Sequence, residues 1–148
     1  MQLPDERLVF VDLETGGAES WRPIYEIAAI AVDASLNELE TFEVRLRFCR
    51  HLADPKVLSG SRYEKPQWNR RALASDEAAE EFADFLARQG TVDQSSRNGR
   101  IFQVAQLVAH NAAFNGEFLS HWVKQLGRFL PASRRMLCTM QRAIWLSH

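Results

Sequence analysis

Apolar residues recur along the chain with two different periods, and the change of period divides it into strands and helices. Leu8, Val9, Phe10, Val11 and Leu13 form a β-rich run without helical spacing, closed after Thr15 by Gly16 and Gly17. A strand followed by a turn is the predicted element. After a loop from Ala18 to Pro23, the nearly continuous apolar run Ile24 to Val32 predicts a second strand, and Asp33 to Glu38 turns the chain. Leu39 to Phe48 alternates in its later part, with Phe42, Val44, Leu46 and Phe48 on one side and Glu43, Arg45 and Arg47 on the other. That is the pattern of a third strand with one wet face. Together the three predict an antiparallel meander.

Beyond it the pattern loses its period of two. Arg50 to Lys65 is irregular, with Pro55, Gly60 and Pro66 as breakers. Gln67 to Leu73 predicts a short helix. Ser75 to Gln89 predicts a longer one, with Ser75 as N-cap, Asp76 and Glu77 in the first turn, Phe82, Phe85 and Leu86 as a packing stripe, and Gly90 as the stop. Thr91 to Arg100, rich in Ser, Asn and Gly, predicts a solvated connector. Ile101 to Ala109 predicts one strand, which delivers His110 and Asn111 to a strand-to-helix junction. The helix that follows spans Ala112 to Leu126, carries a broad stripe of Phe114, Phe118, Leu119, Trp122, Val123 and Leu126, and ends at Gly127.

Composition adds bounds to this picture. The chain has 148 residues, enough for one domain with a real core, and its 46% hydrophobic and 25% charged content argues against disorder. Cys49 and Cys138 match no metal-ligand spacing and read as reduced thiols of a cytoplasmic protein. No apolar run is long enough to span a bilayer, and Asp5, Glu6 and Arg7 do not suit a signal peptide. A net charge of -1 is neutral on nucleic-acid binding, but its distribution is informative. No acid follows Glu117, while Lys124, Arg128, Arg134, Arg135 and Arg142 do, and Arg45, Arg47, Arg50 and His51 form a second basic group. Either group suits a phosphate track or a solvated face.

The chemistry centres on Asp12 and Glu14. Two apart on a strand, they point the same way. Like charges on an apolar strand are relieved by a cation, and hard divalent ions with oxygen ligands, Mg²⁺ or Mn²⁺, suit the pair. An edge strand with both acids in water is the alternative.

The string Phe10-Val11-Asp12-Leu13-Glu14-Thr15-Gly16-Gly17 resembles the first exonuclease motif of the DnaQ-like (DEDD) 3′-to-5′ exonucleases. Val108-Ala109-His110-Asn111-Ala112-Ala113-Phe114-Asn115-Gly116-Glu117-Phe118-Leu119 resembles that family's second motif, usually written H-N-A-x-F-D-x-x-F-L. The resemblance implies an α/β fold of the ribonuclease H-like type, a mixed sheet with three antiparallel strands first and parallel strands after, flanked by helices. It also implies a site: Asp12, Glu14 and the position of Asn115 as catalytic metal ligands, Mg²⁺ or Mn²⁺ as a two-ion cofactor, and single-stranded DNA or RNA 3′ ends as substrate. Leu13, Thr15 and Gly16 would bind that substrate, glycine letting the terminal nucleotide approach closely. His110, Asn111 and Phe114 complete the substrate-binding set, with His110 and Phe114 flanking the nucleotide.

Two departures qualify the resemblance. Asn115 stands where the family has an aspartate; its amide offers a carbonyl oxygen but no charge, so affinity for one metal falls. Glu117 cannot replace it, because two residues along a helix is about 200° of rotation. The family's third motif, a histidine or tyrosine shortly before a last aspartate, should follow Leu137 to Leu146, yet His148 has no acid behind it. His121 reads as a surface or packing residue. The expectation is a single exonuclease-like domain over residues 1–148, truncated at its C-terminal side, with Ile144, Trp145 and Leu146 covered by a homodimer or another partner. The competing expectation is a catalytically inactive nucleic-acid-binding or protein-interaction module on the same fold.

Overall fold

Leu8–Thr15 forms β1, Ile24–Val32 β2 and Glu38–Arg45 β3, in the computed structural model, which describes residues 5–61, 68 and 70–147. β1 and β2 pair antiparallel, Phe10 opposite Ile30 and Asp12 opposite Ala28, and β2 continues the meander to β3 with Ala28 opposite Glu43. The third strand ends earlier than the alternation suggests. After Arg45 the backbone turns to a remote partner: Leu73 N donates to Arg45 O, Arg47 N donates to Leu73 O, and Leu46, whose N–H still reaches Tyr25 O, forms an isolated bridge to Leu73. Alternation of side chains continues there without a ladder to support it.

The irregular stretch contains a 3₁₀ turn, Arg50–Leu52, and a short helix α1, Pro55–Ser59, capped by Asp54 accepting from Lys56 N at 2.9 Å, with proline at the helix start. Residues 62–65 of that stretch, with Pro66, and residues 67 and 69 of the expected short helix lie outside the described residues; Trp68, Arg70 and Arg71 are helical. Trp68 packs with Tyr25 and Ala72 in a small cluster, and its indole N–H donates to Leu46 O.

α2, Ser75–Arg88, is the amphipathic helix expected there. Its cap differs: Ala74 holds the N-cap position, and Ser75, inside the helix, uses its hydroxyl to accept from Trp122 Nε1 at 2.7 Å. A tertiary bond has claimed the side chain that local pattern assigns to capping. The segment expected to be a loop is a hairpin, β4 (Val92–Ser95) paired antiparallel with β5 (Ile101–Val104), closed by a turn in which Gly99 adopts φ 80°. Largely solvated strands show no apolar alternation, which is why composition suggested a connector. The single strand expected over Ile101 to Ala109 is two strands. At Ala105 the chain leaves the hairpin, bonding Pro131 O and Ser133 N, and β6 (Gln106–Ala109) enters the main sheet.

The main sheet has the order β3-β2-β1-β6-β7, where β7 is Leu137–Cys138; β6 is parallel to both of its neighbours. This is the ribonuclease H-like mixed sheet expected from the motifs. α3, Ala112–Leu126, links β6 to β7, and α4, Thr139–Leu146, follows. α2 and α3 pack on one sheet face. Val9, Val11, Leu13, Ile27, Ala29 and Ala31 meet Phe82, Phe85, Leu86, Phe118 and Trp122 there in one core. Phe82 and Phe85 are fully buried, each contributing about 1.5–3 kcal/mol of apolar transfer. Because strand side chains alternate, burying Val11 and Leu13 presents Asp12 and Glu14 on the opposite face, where both are exposed. Among the described residues no helix is long and apolar enough to cross a membrane.

Candidate active site

β1 brings Asp12 and Glu14 to the open face, and parallel β6, its neighbour, ends at the same side with His110 and Asn111. Asp12 and His110 line a hollow of about 650 Å³ together with Phe10, Ile30, Glu43 and Thr139. His110 Nδ1 and Thr139 Oγ1 share a hydrogen bond at 3.2 Å, which fixes the imidazole beside the start of α4. Thus two of the predicted site residues, distant in sequence, meet across one sheet face. The exposure of both acids there leaves their oxygens open to water and cations.

Asn111 is the hinge of this arrangement. It adopts the left-handed conformation (φ 60°, ψ 67°), which asparagine tolerates better than most residues, and its Oδ1 accepts from Phe114 N as the N-cap of α3. Asn115, one turn later, is only 4% exposed. Its amide nitrogen donates to His110 O at 3.0 Å and to Asn111 O at 3.1 Å, so the side chain staples the junction that presents His110. An aspartate cannot make these bonds when ionised, since it has no donor. Phe114 is half-buried and packs on Phe118 with ring centroids 4.8 Å apart.

The remaining predicted substrate residues face elsewhere. Leu13 points into the core, and Thr15 is buried with its hydroxyl donating to Gly17 O at 2.8 Å, so only their backbones are near the open face. At Gly16 the close approach that glycine permits is internal: an added Cβ would lie 2.9 Å from Ala53 Cβ and 3.1 Å from Pro23 Cδ. Gly16 N donates to Pro23 O at 2.8 Å and Gly16 O accepts from Asp54 N at 2.6 Å. The turn is further held by Arg22, which donates to Glu19 and to Leu52 O and stacks on Trp21.

For a metal, the residues present form a partial fit. Asp12 and Glu14 supply hard, exposed oxygens, but among the described residues no three His, Cys, Asp or Glu side chains come together. Asn115 is neutral, and Glu117 is exposed where Asn115 is buried, the separation predicted from helical geometry. The two-ion ligand set is therefore not assembled by these residues. Two residues without a site role in the sequence pattern also border this region: Cys138, expected only as a reduced thiol, and Thr139. Cys138 Sγ accepts from Ala112 N at 3.3 Å, and this bond, joined by weaker ones from the N–H groups that open α4, holds the thiol below the usual cysteine range. No spacing rule marks either residue, because β7 reaches β6 only in the folded sheet.

No protein-family model and no curated protein matches the sequence. Solved structures do. An exonuclease I structure without ligand superposes with a TM-score of 0.71 at 16% identity over 95% of this chain and 31% of its own. Exonuclease I of Methylocaldum szegediense gives 0.67 at 16% identity, over 93% and 29%. E. coli exonuclease I in complex with a 5cy-dA13 oligonucleotide gives 0.69 at 14% identity, over 95% and 30%. The chain thus spans less than a third of the exonuclease I chains it matches, and within that span it carries their fold, the ribonuclease H-like fold that its two motifs imply.

Proposed function

We propose that this chain provides the first two motifs of a 3′-to-5′ exonuclease site acting on single-stranded nucleic acid. The observation that carries the reading is the meeting of Asp12, on β1, and His110, at the end of β6, in one open hollow of a fold shared with exonuclease I. Asp12 and Glu14 would hold a divalent ion, Mg²⁺ or Mn²⁺, which when bound supplies Lewis-acid charge and a water of lowered pKa. The chain's own residues bind and orient. His110, held by Thr139, offers a ring nitrogen toward the hollow, and Phe114 supplies an aromatic edge beside the junction. The exonuclease I complex with an oligonucleotide supports a single strand as the ligand class. Ile144, Trp145 and Leu146, 51%, 82% and 73% exposed around the end of α4, leave apolar area there suited to a partner or a second copy.

A second reading, an inactive binding module on the same fold, is favoured by one observation: the amide of Asn115 is engaged with two backbone carbonyls at the position where the family carries a charged ligand. One experiment separates the two. A 5′-labelled single-stranded DNA or RNA is incubated with Mg²⁺ or Mn²⁺ and either this chain or Asp12→Ala. Shortening from the 3′ end, lost in the variant, is the expected result for an enzyme. An intact oligonucleotide that the folded protein still binds assigns the chain to the binding module.

A further inference from the structure

Away from the sheet face, α3 borders a second depression of about 690 Å³ that the chemistry above does not use. Its floor is made of small residues one turn apart, Ala112, Gly116 and Ser120, and a Cβ added at Gly116 would meet nothing within 4 Å. The groove includes the first turn of α3, which directly follows His110 and Asn111 in the chain, and Ser20 of the loop after β1 also borders it. Lys124 and Arg134 lie on its wall toward the other end of α3. From Ala112 to Lys124 the helix rises about 18 Å, room for a few nucleotides.

The charges on this groove are unspent. Lys124 and Arg134 are exposed and form no ion pair among the described residues. Arg45, by contrast, is drawn to Glu26 and stacks on Trp68. Glu117 is the one acid on the groove, so two fixed cations face one carboxylate, with His121 between them on the same helix. We infer that this groove carries the phosphodiester backbone of a single strand that passes from Asp12 around the C-terminal ends of β1 and β6 to the α3 side of the sheet, with Lys124 and Arg134 neutralising phosphates. The inference rests on the proposed function and extends it by assigning the strand's path. Small floor residues let the backbone lie close to the helix, and cations at the far end hold it there without reading sequence.

The test is binding of a short 5′-labelled oligonucleotide in EDTA, so that it is independent of whether Asp12 and Glu14 hold metal. Lys124→Ala/Arg134→Ala is compared with Arg97→Ala/Arg100→Ala, an equal loss of charge on the β4–β5 turn, with folding checked by circular dichroism. Loss of two phosphate contacts should weaken binding about tenfold at about 0.1 M salt and lower the slope of log K against log salt by about 1.4, at about 0.7 per phosphate on a single strand. Glu117→Gln should tighten it. Unchanged affinity and slope in the groove variant, with the wild type binding, would overturn the inference and leave the catalytic reading standing. So would an equal loss in the turn variant, or an acidic peptide of equal charge binding as tightly. A wild type that binds no oligonucleotide in EDTA also overturns the inference, and the cleavage assay with Mg²⁺ or Mn²⁺ then decides the catalytic reading separately.

Discussion

Replacing Asn115 by aspartate introduces the residue that the resembled motif carries at this position, yet the structure argues that it costs stability. The amide nitrogen makes two hydrogen bonds, at 3.0 and 3.1 Å, to the carbonyls of His110 and Asn111, and the side chain is 4% exposed. Asn115→Asp removes both bonds, at about 0.5–1.5 kcal/mol each, and sets an anion against two carbonyl oxygens, an unfavourable burial of about 1 kcal/mol or more. A total of about 3 kcal/mol corresponds to a fall in Tm of about 6–12 °C for a chain of this size. The sign with pH follows from proton uptake. The new carboxyl is more easily protonated in the folded state than in the unfolded one, so the deficit is smallest below the ordinary aspartate value of about 3.9 and grows as pH rises through the folded-state value. Thermal unfolding near pH 4 and near neutrality measures both. Mn²⁺ supplies the second arm: if the new carboxylate joins Asp12 and Glu14 around an ion, an excess of about 100 Kd returns about 2.7 kcal/mol. A variant that melts with the wild type at neutral pH without metal would refute the stapling role of Asn115. One that is destabilised but indifferent to Mn²⁺ would refute its place in a metal site.

Two smaller predictions probe the frame that holds the site. Glu40 on β3 accepts from Arg88 Nη2 at 2.7 Å and from the buried Gln89, tying the sheet to the end of α2, and the Arg88 guanidinium holds its carboxyl below the usual range. With side-chain exposures of 35% and 55% the ion pair is solvent-screened, so Glu40→Gln should cost about 0.2–1 kcal/mol. Because the folded pKa is depressed, that contribution is present above the unfolded value and lost as pH falls through the folded one; wild type and variant should converge in acid, and a gap in Tm that persists there would contradict the assignment. Gly16→Ala drives a methyl group to 2.9 Å from Ala53 Cβ, for which about 1–3 kcal/mol is expected, and Ala53→Gly in the same chain should recover much of it. An unchanged Tm for Gly16→Ala would show that the turn relaxes freely.

The chain's own periodicities determined the meander, the two long helices and the faces they bury. Val9, Val11 and Leu13 alternate with Phe10, Asp12 and Glu14, and that alternation alone puts the acids opposite the core. The two motifs likewise indicated the ribonuclease H-like sheet, because strand order and the antiparallel-then-parallel pattern accompany them. What stayed hidden depends on partners far along the chain. The β4–β5 hairpin is largely solvated and has no apolar signature; Ala105 breaks its strand only because Pro131 and Ser133 bond it; Ser75 gives up the capping role expected of it and instead accepts from Trp122. The same holds at the site. Sequence indicated that residue 115 is an uncharged amide at a position the family fills with a carboxylate. Only the tertiary structure decided that this amide is turned to the backbone of His110 and Asn111, that Thr139 holds His110, and that Gly16 is filled from within by Ala53. Local alternation and helical spacing are properties of neighbouring residues and can be read along a chain, whereas hydrogen bonds that close over long separations exist only once the sheet has brought their partners together.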